Sequence, residues 1–553
     1  MRVADIEFIN AKNANTTGVG SELVADDTLV FFNLHGIKDH ELKEILNYKS
    51  FIHTSWKEGK RTIYFVYTYG YGLDSKVIWC YSGFSSILIR LLQNKYGYSI
   101  NGKELYRAKE ITRLPNMLYS LWDFQKDAVQ AWVDSNCYGI IQAPTASGKG
   151  ILGCAVIKKM NLRTIILVHT SDLLINVWYN YLIQQFGEEI KDRIGIIGGG
   201  LSNRDRKMMR IIGNDFTENI KKDIVIATSQ SLLAGNKLTL IGEERFGLMI
   251  VDEIHHYSSE QFKRVAGAVR AAYRLGLSAT LKRSDGLSPI FYALLGDVRY
   301  RIGIKELVKK KLLVEPIFYS IIIEDEEACS KIRNCKYKLL EYSRYVKKVS
   351  GSSELKFRYI LGLCQSLKSK GRKFMLYTDF VNKSGLDENG TFDAESVFTR
   401  DDYVKGLLEL KVKIIGVSSE MSGMRRQDIF NKLGKNELDG IVFGSLGSEG
   451  INIPSVEAII LANATASTIR FPQRVGRSMR LYKNKTNCYI YEILLNVSKE
   501  LEWSETNFIE YEDEGFKKER IHVNNDGYLV KKDIKLQQTQ QLQQNKELGN
   551  LII

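Results

Sequence analysis

The sequence lacks the marks of a secreted, disulfide-bonded or membrane-spanning protein. Its seven cysteines are scattered and form no Cys-x-x-Cys pair. Neither a zinc site nor a disulfide framework is therefore expected, and a reducing compartment is the simpler expectation. No apolar run approaches the roughly 18 residues that span a bilayer, and the N-terminal residues show no signal-peptide pattern. We expect a soluble, intracellular, cytoplasmic protein with no membrane partner.

Acidic residues and proline are also in short supply. The chain has 78 Lys and Arg residues against 64 Asp and Glu residues, which gives a net charge of +14. This excess favours a polyanionic partner, because neutralised phosphates release counterions, although basic solubility alone would explain the same charge. Only 6 of 553 residues are proline and 29 are tyrosine, a composition that hints at an AT-rich source such as a phage or virus. The compartment would then be the host cytoplasm.

A phosphate-loop pattern is the most informative segment of the chain, with the sequence Ala143-Pro-Thr-Ala-Ser-Gly-Lys-Gly150. A strand predicted over 138–141 runs into these small residues, and a helix is predicted over 151–160, so backbone N–H groups point at an anion. Lys149 would contact the outer phosphates. The last position usually carries a Ser or Thr hydroxyl that binds Mg²⁺, but here it is Gly150. On these residues alone, a purely structural turn is the alternative.

Two adjacent carboxylates follow a second predicted strand. The apolar run 248–251 is typical of a buried parallel strand, and it ends at Asp252 and Glu253. Buried carboxylates are costly unless a charged group lies beside them. A magnesium-bound triphosphate is the natural partner, with Asp252 holding the metal through water and Glu253 polarising the attacking water. The alternative is a solvated acidic pair at a strand end.

Arginines recur at every third position near the end of the second half. Arg474, Arg477 and Arg480 follow Gln473, and this spacing predicts one helix face on which guanidinium groups converge on a phosphoryl group. A solvated basic face is the usual alternative. Because the segment follows a second set of predicted strands, it favours an arginine finger delivered from another lobe.

The order of these elements resembles the superfamily 2 helicases and translocases over about residues 119 to 500. Gln125 stands where that family uses a glutamine for adenine. Four further segments resemble family motifs: His169-Thr-Ser-Asp172, Ala227-Thr-Ser-Gln230, Leu277-Ser-Ala-Thr280 and the stretch from Gly444 to Pro454. Within the superfamily, the segments 275–286 and 196–200 are similar to the XPB and UvsW branch of DNA translocases. Arg283 and Asp285 match that branch, but Ser284 replaces an acidic residue.

The resemblance implies ATP and Mg²⁺ as cofactors, and DNA that is duplex, branched or forked as the partner, with RNA as an alternative and no protein partner indicated. His255 would link the ATP site to Gln473, unless it is a neutral surface histidine. The implied catalytic residues are Glu253, Asp252, Lys149, Gln473, Arg477, Arg480 and His255. Those implied to bind nucleotide are Gln125, Pro144, Thr145, Ala146, Ser147, Gly148, Lys149, Gly150 and Gly450. Those implied to contact nucleic acid are His169, Thr170, Thr228, Ser229, Gln230, Ser445 and Arg283.

The predicted fold class is α/β, with two tandem RecA-like lobes built on parallel sheets and a small α+β N-terminal domain. Residues 1–117 form the accessory domain, 118–305 the first lobe, 306–500 the second lobe and 501–553 a partly disordered C-terminal extension. In the accessory domain, 61–69 and 76–81 predict a hairpin that packs a sheet face or engages duplex DNA. A lysine-rich connection is predicted at 305–311, and an exposed insertion between Asp379 and Lys405.

Two departures from the family pattern bear on activity. The missing hydroxyl at Gly150 predicts a functional but metal-sensitive ATPase in which Thr at 150 strengthens Mg²⁺ dependence or turnover. Asn452 stands where many relatives have Asp. Because an amide carries no charge, weaker contacts to the ribose or to the coupling arginines are expected. Three functions are consistent with the sequence: an ATP-dependent DNA helicase or translocase acting in recombination, repair or replication; a transcript-releasing RNA helicase of viral type; and a non-catalytic nucleic-acid-binding scaffold with a decayed ATP site.

Overall fold

The computed structural model divides the chain into two compact units, the first holding most of residues 1–302 and the second most of residues 303–553. The residues that the structure describes are 3–10, 28–46, 52–55, 61–64, 66–71, 75–101, 110–135, 137–170, 173–198, 215–257, 259–281, 289–335, 339–380, 397–418, 421, 423–444, 453–464, 470–524 and 529–532.

The first unit begins with a small mixed sheet. The strands of this N-terminal region are β1 (Val3–Asn10), β2 (Thr28–His35), β3 (Ile52–Ser55), β4 (Arg61–Tyr64), β5 (Val66–Tyr71), β6 (Ser75–Tyr81) and β7 (Ser99–Asn101), and its helices are α1 (Asp39–Leu46) and α2 (Ser82–Tyr96). Five strands pair in the order β5-β6-β2-β1-β7, and β3 pairs with β4 separately. The predicted hairpin is therefore correct only in part. Residues 66–71 pair with β6, whereas 61–64 pair with β3.

A seven-stranded parallel sheet forms the rest of the first unit. Its strands are β8 (Tyr138–Gln142), β9 (Thr164–Val168), β10 (Ile194–Ile197), β11 (Ile224–Thr228), β12 (Arg245–Asp252), β13 (Arg270–Ser278) and β14 (Val298–Arg301), in the order β10-β11-β9-β12-β13-β8-β14. The strand β9 reads TIILV and is buried throughout, as expected for a parallel strand covered on both faces. Ile165 and Leu167 belong to one hydrophobic cluster, and Ile166 and Val168 to another.

Helices cover both faces of this sheet. They are α3 (Asp123–Asp134), α4 (Lys149–Met160), α5 (Asn180–Phe186), α6 (Phe216–Asn219), α7 (Ser229–Leu233), α8 (Lys237–Glu243), α9 (Ser259–Ala268) and α10 (Pro289–Leu295). A π-helical segment (Leu173–Tyr179) precedes α5, and 3₁₀ turns occur at Glu188–Arg193 and Ile254–His256. Leu88 and Leu92 of α2 share a hydrophobic cluster with Phe291 and Leu294 of α10. The N-terminal sheet is thus anchored to the first parallel sheet.

The second unit holds an eight-stranded sheet. Its strands are β15 (Glu315–Ile323), β16 (Phe374–Tyr377), β17 (Ile414–Val417), β18 (Gly440–Phe443), β19 (Ala458–Leu461), β20 (Asn487–Leu495), β21 (Lys518–Val523) and β22 (Leu529–Lys532). The order is β17-β18-β16-β19-β20-β15-β21-β22, and every pairing is parallel except that of β21 with β22. Its helices are α11 (Ile304–Lys309), α12 (Glu326–Arg333), α13 (Leu339–Gly351), α14 (Glu354–Ser369), α15 (Arg400–Glu409), α16 (Gly423–Gly434), α17 (Arg470–Ser478) and α18 (Ser498–Asp513).

The two parallel sheets confirm the predicted α/β class with two RecA-like lobes. The structure adds detail to one finer expectation and corrects another. The lysine-rich connection is the helix α11, because Ile304 and Leu307 form a buried apolar side. Residues 397–405 are not part of an exposed insertion, since Val397 and Thr399 are buried and Thr399 caps α15. Residues 381–396 and 533–553 lie outside the described part of the chain, so the insertion and tail predictions stand untested there.

The boundary predicted after residue 500 falls inside the second sheet. The strand β21 pairs in parallel with β15 from Phe318 to Ile323, and α18 buries Trp503, Phe508 and Tyr511. The ring of Phe318 lies 5.1 Å from that of Phe508 and 4.8 Å from that of Tyr511. Residues 501–523 therefore complete the core of the second lobe.

Truncation tests whether residues 501–523 belong to the core of the second lobe. A chain ending at residue 500 is expected to lose the cooperative unfolding transition of the second lobe, because three buried aromatic side chains are removed and each contributes about 3–5 kcal/mol. A chain ending at Lys532 keeps β21 and β22 and is the matched control. Thermal unfolding followed by circular dichroism compares the two, and equal melting temperatures would show that the second lobe ends at 500.

Candidate active site

The phosphate loop joins β8 to α4 and has an unusual backbone. Ala146 has φ of +70° and Gly148 has φ of +79°, and left-handed conformations are uncommon for residues other than glycine. This turn places the first N–H groups of the twelve-residue helix α4 at the end of the sheet. The Lys149 ammonium donates to the carbonyl oxygens of Ala143 and Pro144, at 3.2 and 3.4 Å. The loop therefore presents positive charge and free helix N–H groups together, which suits an anion.

The acidic pair lies beside this lysine. Asp252 ends β12, and Glu253 follows it with a left-handed φ of +47°. The Glu253 Oε1 atom lies 3.3 Å from the Nζ atom of Lys149. Asp252 Oδ2 accepts a hydrogen bond of 2.8 Å from the indole N–H of Trp178, and Oδ1 accepts one of 3.0 Å from the Glu253 backbone N–H. The sequence motif thus becomes a compact group of one ammonium and two carboxylates.

The two carboxylates differ in their protonation. Burial, with the neighbouring Glu253 charge, raises the pKa of Asp252 to about 6, although Lys149 and the Trp178 N–H oppose this shift. Burial alone would also raise the pKa of Glu253, but the Lys149 ammonium outweighs it and the pKa falls to about 2. Glu253 is therefore ionised near neutral pH, as a general base must be, and Asp252 is the carboxylate that protonates first as the pH falls.

Glu253 contacts a buried histidine that belongs to a short hydrogen-bonded chain. The Glu253 Oε2 atom lies 3.5 Å from His255 Nδ1, which is 2.8 Å from the Ser278 hydroxyl. That hydroxyl donates to the Thr280 carbonyl at 2.6 Å, so it accepts the His255 Nδ1–H. Burial lowers the pKa of His255 to about 3, which makes the ring neutral and Nε2 an acceptor. Within the described chain His255 Nε2 has no hydrogen-bond partner, and the histidine is buried, so it is not a surface residue.

Gln125 also reaches the loop. Its Oε1 atom accepts from the Trp122 backbone N–H at 3.0 Å, and its Nε2 atom donates to the Gly148 carbonyl at 3.4 Å. Trp122 and Tyr119 lie nearby in sequence with exposed rings. The structure therefore brings Gln125 to the loop, and its contact with adenine stays a prediction.

The residues predicted to contact nucleic acid have different environments. The Thr228 hydroxyl caps α7 by accepting from the Ser231 N–H, and Ser229 is buried, whereas Gln230 is exposed. His169 stacks on His256 with ring centroids 3.9 Å apart. The described residues do not include Arg283, Ser284, Asp285, Ser445, Gly450, Asn452 or positions 199–200, so the predictions made there are untested.

The arginine segment of the second lobe is only partly helical. Gln473, Arg474 and Arg477 lie buried on α17, but the helix ends at Ser478, so the prediction that Arg480 shares its face is wrong. The Arg474 guanidinium lies 4.7 Å from the centroid of the Tyr377 ring, which gives this arginine a role in packing. The contribution of Gln473, Arg477 and Arg480 to catalysis stays a prediction.

Gly150 has a steric explanation that the sequence did not reveal. A Cβ atom at this position would lie 2.3 Å from the Tyr181 ring, and one at Gly153 would lie 2.4 Å from the Trp178 ring. Both distances are far below van der Waals contact, so the two aromatic rings require glycine on this side of α4. Sequence reasoning missed Trp178 and Tyr181, since only the fold brings them against the loop helix.

Two family models match the chain, and they cover different lobes. The model described as "Type III restriction enzyme, res subunit" matches residues 118–283, and "Helicase conserved C-terminal domain" matches residues 355–482. The DNA 3'-5' translocase XPB2 of Sulfurisphaera tokodaii is 27% identical over 384 residues, which cover 65% of this chain and 78% of the relative. Putative helicase 22 of Sulfolobus islandicus filamentous virus is 25% identical over 507 residues, with coverage of 86% and 80%.

In both lobes the chain resembles the superfamily 2 helicases. Its predicted resemblance to the XPB and UvsW branch is confirmed, and the enzyme is an ATP-dependent helicase. Solved structures agree in fold. A Type ISP restriction-modification enzyme, LlaBIII bound to DNA, has a TM-score of 0.52 at 14% identity. The matched region covers 80% of this helicase and 34% of the LlaBIII chain. A putative HsdR subunit of a type I restriction enzyme from Vibrio vulnificus has a TM-score of 0.50 at 17% identity, with coverage of 80% and 75%.

Other negative expectations concern metals, disulfides and membranes. All seven cysteines of the helicase are free thiols. Across the described ranges, no group of His, Cys, Asp and Glu side chains has the arrangement of a metal centre built from protein ligands alone. No helix in those same ranges is both long and apolar enough to cross a bilayer.

The steric role of Gly150 changes the expectation for threonine at this position. Gly150→Thr alone is expected to lower the melting temperature and the nucleotide affinity, because Tyr181 must move and overpacking costs about 1–3 kcal/mol. Gly150→Ala is the matched control for the added Cβ atom, and Gly150→Thr combined with Tyr181→Ala relieves the contact. Differential scanning fluorimetry with and without nucleotide measures both effects. A Gly150→Thr variant with higher turnover and unchanged stability would contradict this account.

The raised pKa of Asp252 predicts a pH-dependent stability. Between pH 4 and pH 6 the folded state binds more protons at Asp252 than the unfolded state does, so the free energy of unfolding falls as the pH rises. The side chain introduced by Asp252→Asn does not titrate. The free energy of unfolding of this variant minus that of the wild type should therefore rise by up to about 3 kcal/mol from pH 4 to pH 7. Denaturant unfolding in chelator at several pH values measures the difference, and parallel curves would refute the prediction.

Proposed function

We propose that this helicase is an ATP-driven DNA translocase that remodels duplex or branched DNA in recombination, repair or replication. The observation that carries the proposal is the contact of Lys149 with Glu253 at 3.3 Å, next to the buried carboxylate of Asp252 and at the N-terminus of α4. A triphosphate needs positive charge and free N–H groups, and its hydrolysis needs an ionised base. This group of residues supplies each of these requirements.

The residues fit a magnesium-bound nucleotide. Asp252 is desolvated and retains a free lone pair on each carboxylate oxygen, so it would hold Mg²⁺ through water. The metal would neutralise charge on the phosphates when bound. Lys149 would bind the outer phosphates, and Glu253 would accept a proton from the attacking water. Gln125 would orient the nucleotide from the other side of the loop.

The histidine chain would connect hydrolysis to movement. His255 contacts Glu253 and hydrogen-bonds to Ser278, which donates to the Thr280 carbonyl. A change of charge at Glu253 would therefore act on the hydrogen bonds at the end of β13. We propose that this coupling acts together with Gln473, Arg477 and Arg480 of the second lobe, which would stabilise charge on the transferring phosphoryl group.

Backbone N–H groups and short hydroxyl side chains would contact the phosphates of one DNA strand. The Thr228 hydroxyl is engaged in capping α7, whereas the Thr170 hydroxyl has no partner within the described residues and Gln230 is exposed. Contacts of this type reach phosphates and give little base specificity. The net charge of +14 supports a polyanionic partner, and relatives that are named DNA translocases favour DNA.

An RNA helicase is the second candidate. The putative ATP-dependent RNA helicase L396 of Acanthamoeba polyphaga mimivirus is 23% identical over 425 residues, which cover 74% of this chain and 68% of that protein. A decayed, non-catalytic scaffold is disfavoured, because Lys149, Asp252 and Glu253 are assembled and Gly150 is explained by packing.

Nucleic-acid stimulation of ATP turnover separates these functions. Duplex DNA is expected to stimulate turnover more than RNA does, and Glu253→Gln should lower kcat by about 10²-fold or more while nucleotide affinity changes little. Glu243→Gln, at an exposed position of the same lobe, is the matched control. Stimulation by RNA alone would favour the RNA helicase, and absence of turnover with any nucleic acid would favour the scaffold.

Unwinding substrates test the proposed process. Fluorescent forks, four-way junctions and RNA–DNA hybrids are compared at equal concentrations, with Glu253→Gln as the inactive reference. A branched-DNA remodeller is expected to act fastest on forks or junctions. Equal rates on all substrates would contradict the assignment to recombination, repair or replication.

A further inference from the structure

Trp178 contacts the acidic pair from a segment that lies between the motifs found in the sequence. It lies in the π-helical segment between β9 and α5, a geometry that often marks functional sites. Its indole Nε1–H donates to Asp252 Oδ2 at 2.8 Å. Both side chains are buried, at 0% and 6% exposure, so this hydrogen bond forms in a medium where water cannot replace it.

The hydrogen bond fixes the orientation of the carboxylate. Asp252 Oδ1 accepts from the Glu253 N–H and Oδ2 accepts from Trp178, so a donor holds each oxygen and the carboxylate plane cannot rotate freely. An indole N–H donates only. Trp178 therefore cannot ligate a cation, and it leaves the remaining lone pairs of Asp252 available.

The same segment explains the two glycines of α4. Gly150 and Gly153 lie one turn apart, and Tyr181 and Trp178 also lie about one turn apart. Each ring occupies the space that a Cβ atom on one glycine would need. The side of the loop helix that usually carries a metal-binding hydroxyl is thus covered by an aromatic pair, one member of which holds Asp252.

We propose that Trp178 is a positioning residue for Mg²⁺, which acts by holding Asp252 in place in a loop that has no hydroxyl at position 150. The inference rests on the proposed ATPase function and adds a residue to it. With the loop-side ligand absent, the orientation of Asp252 decides where the hydrated metal lies beside the phosphates. Partners that orient a metal-binding group change metal affinity by about 10–100-fold when they are removed.

The alternative is that Trp178 only packs the core, and Trp132 provides a matched comparison. The Trp132 indole is equally buried and donates to the Arg274 carbonyl at 3.0 Å, but Arg274 is not part of the site. Trp178→Phe and Trp132→Phe therefore each remove one buried indole N–H from the same lobe. A structural role would give both variants the same phenotype.

The experiment measures the affinity of a fluorescent ADP analogue in Mg²⁺ and in chelator, without nucleic acid. In Trp178→Phe the affinity in chelator should stay within about twofold of the wild type, because Lys149 and the loop are intact. The Mg²⁺ ratio, which is the dissociation constant in chelator divided by that in Mg²⁺, should be about tenfold smaller than in the wild type. Trp132→Phe should keep the wild-type ratio even if its melting temperature falls.

An equal Mg²⁺ ratio in the two variants would overturn the proposal while leaving the ATPase function intact. A wild-type protein that binds no nucleotide in either buffer would overturn both. Should Trp178→Phe fail to fold, 3-benzothienylalanine at position 178 keeps the ring shape and replaces the N–H by sulfur. A wild-type Mg²⁺ ratio with that side chain would also refute the positioning role.

Discussion

The site depends on the charge balance between one lysine and two carboxylates that water barely reaches. Lys149 pairs with Glu253 at 3.3 Å, and this contact keeps Glu253 ionised despite its burial. Asp252 has no cation of its own, so burial and the neighbouring charge raise its pKa. The site therefore holds a carboxylate that is costly to ionise, and a bound cation would offset this cost. This imbalance favours a metal-bound nucleotide over a free one.

The strand order of the first lobe creates this balance. β12, β13 and β8 are neighbours in the sheet, so the carboxyl ends that carry Asp252, Ser278 and the phosphate loop meet at one edge. The hydrogen bond from His255 to Ser278, next to Glu253, then follows from adjacency in the sheet. The aromatic segment before and within α5 closes the site from the side of α4, where Gly150 and Gly153 admit the rings of Tyr181 and Trp178. The absent hydroxyl and the aromatic segment are thus two parts of one packing solution.

Much of this could be predicted from the sequence, because apolar runs such as 164–168 and 248–251 have the length and composition of buried parallel strands. The placement of Lys149, Asp252 and Glu253 at one site followed from motif order, whereas the direct contact of Lys149 with Glu253 did not. Trp178 could not be predicted, since its contact with Asp252 depends on a π-helical turn that leaves no periodic signal. Arg480 was misplaced because a regular spacing of arginines does not reveal that α17 ends at Ser478. The boundary at 500 was wrong because β21 pairs with β15, a strand nearly two hundred residues earlier.

Triplex displacement tests most directly whether this buried charge group drives movement along duplex DNA, as we propose. A labelled third strand is bound to a duplex, and its release is followed after addition of the helicase with Mg²⁺. The third strand is expected to be released with ATP and to stay bound with a non-hydrolysable analogue. A third strand that stays bound while duplex DNA stimulates ATP hydrolysis would contradict this proposal, as would equal release with the analogue.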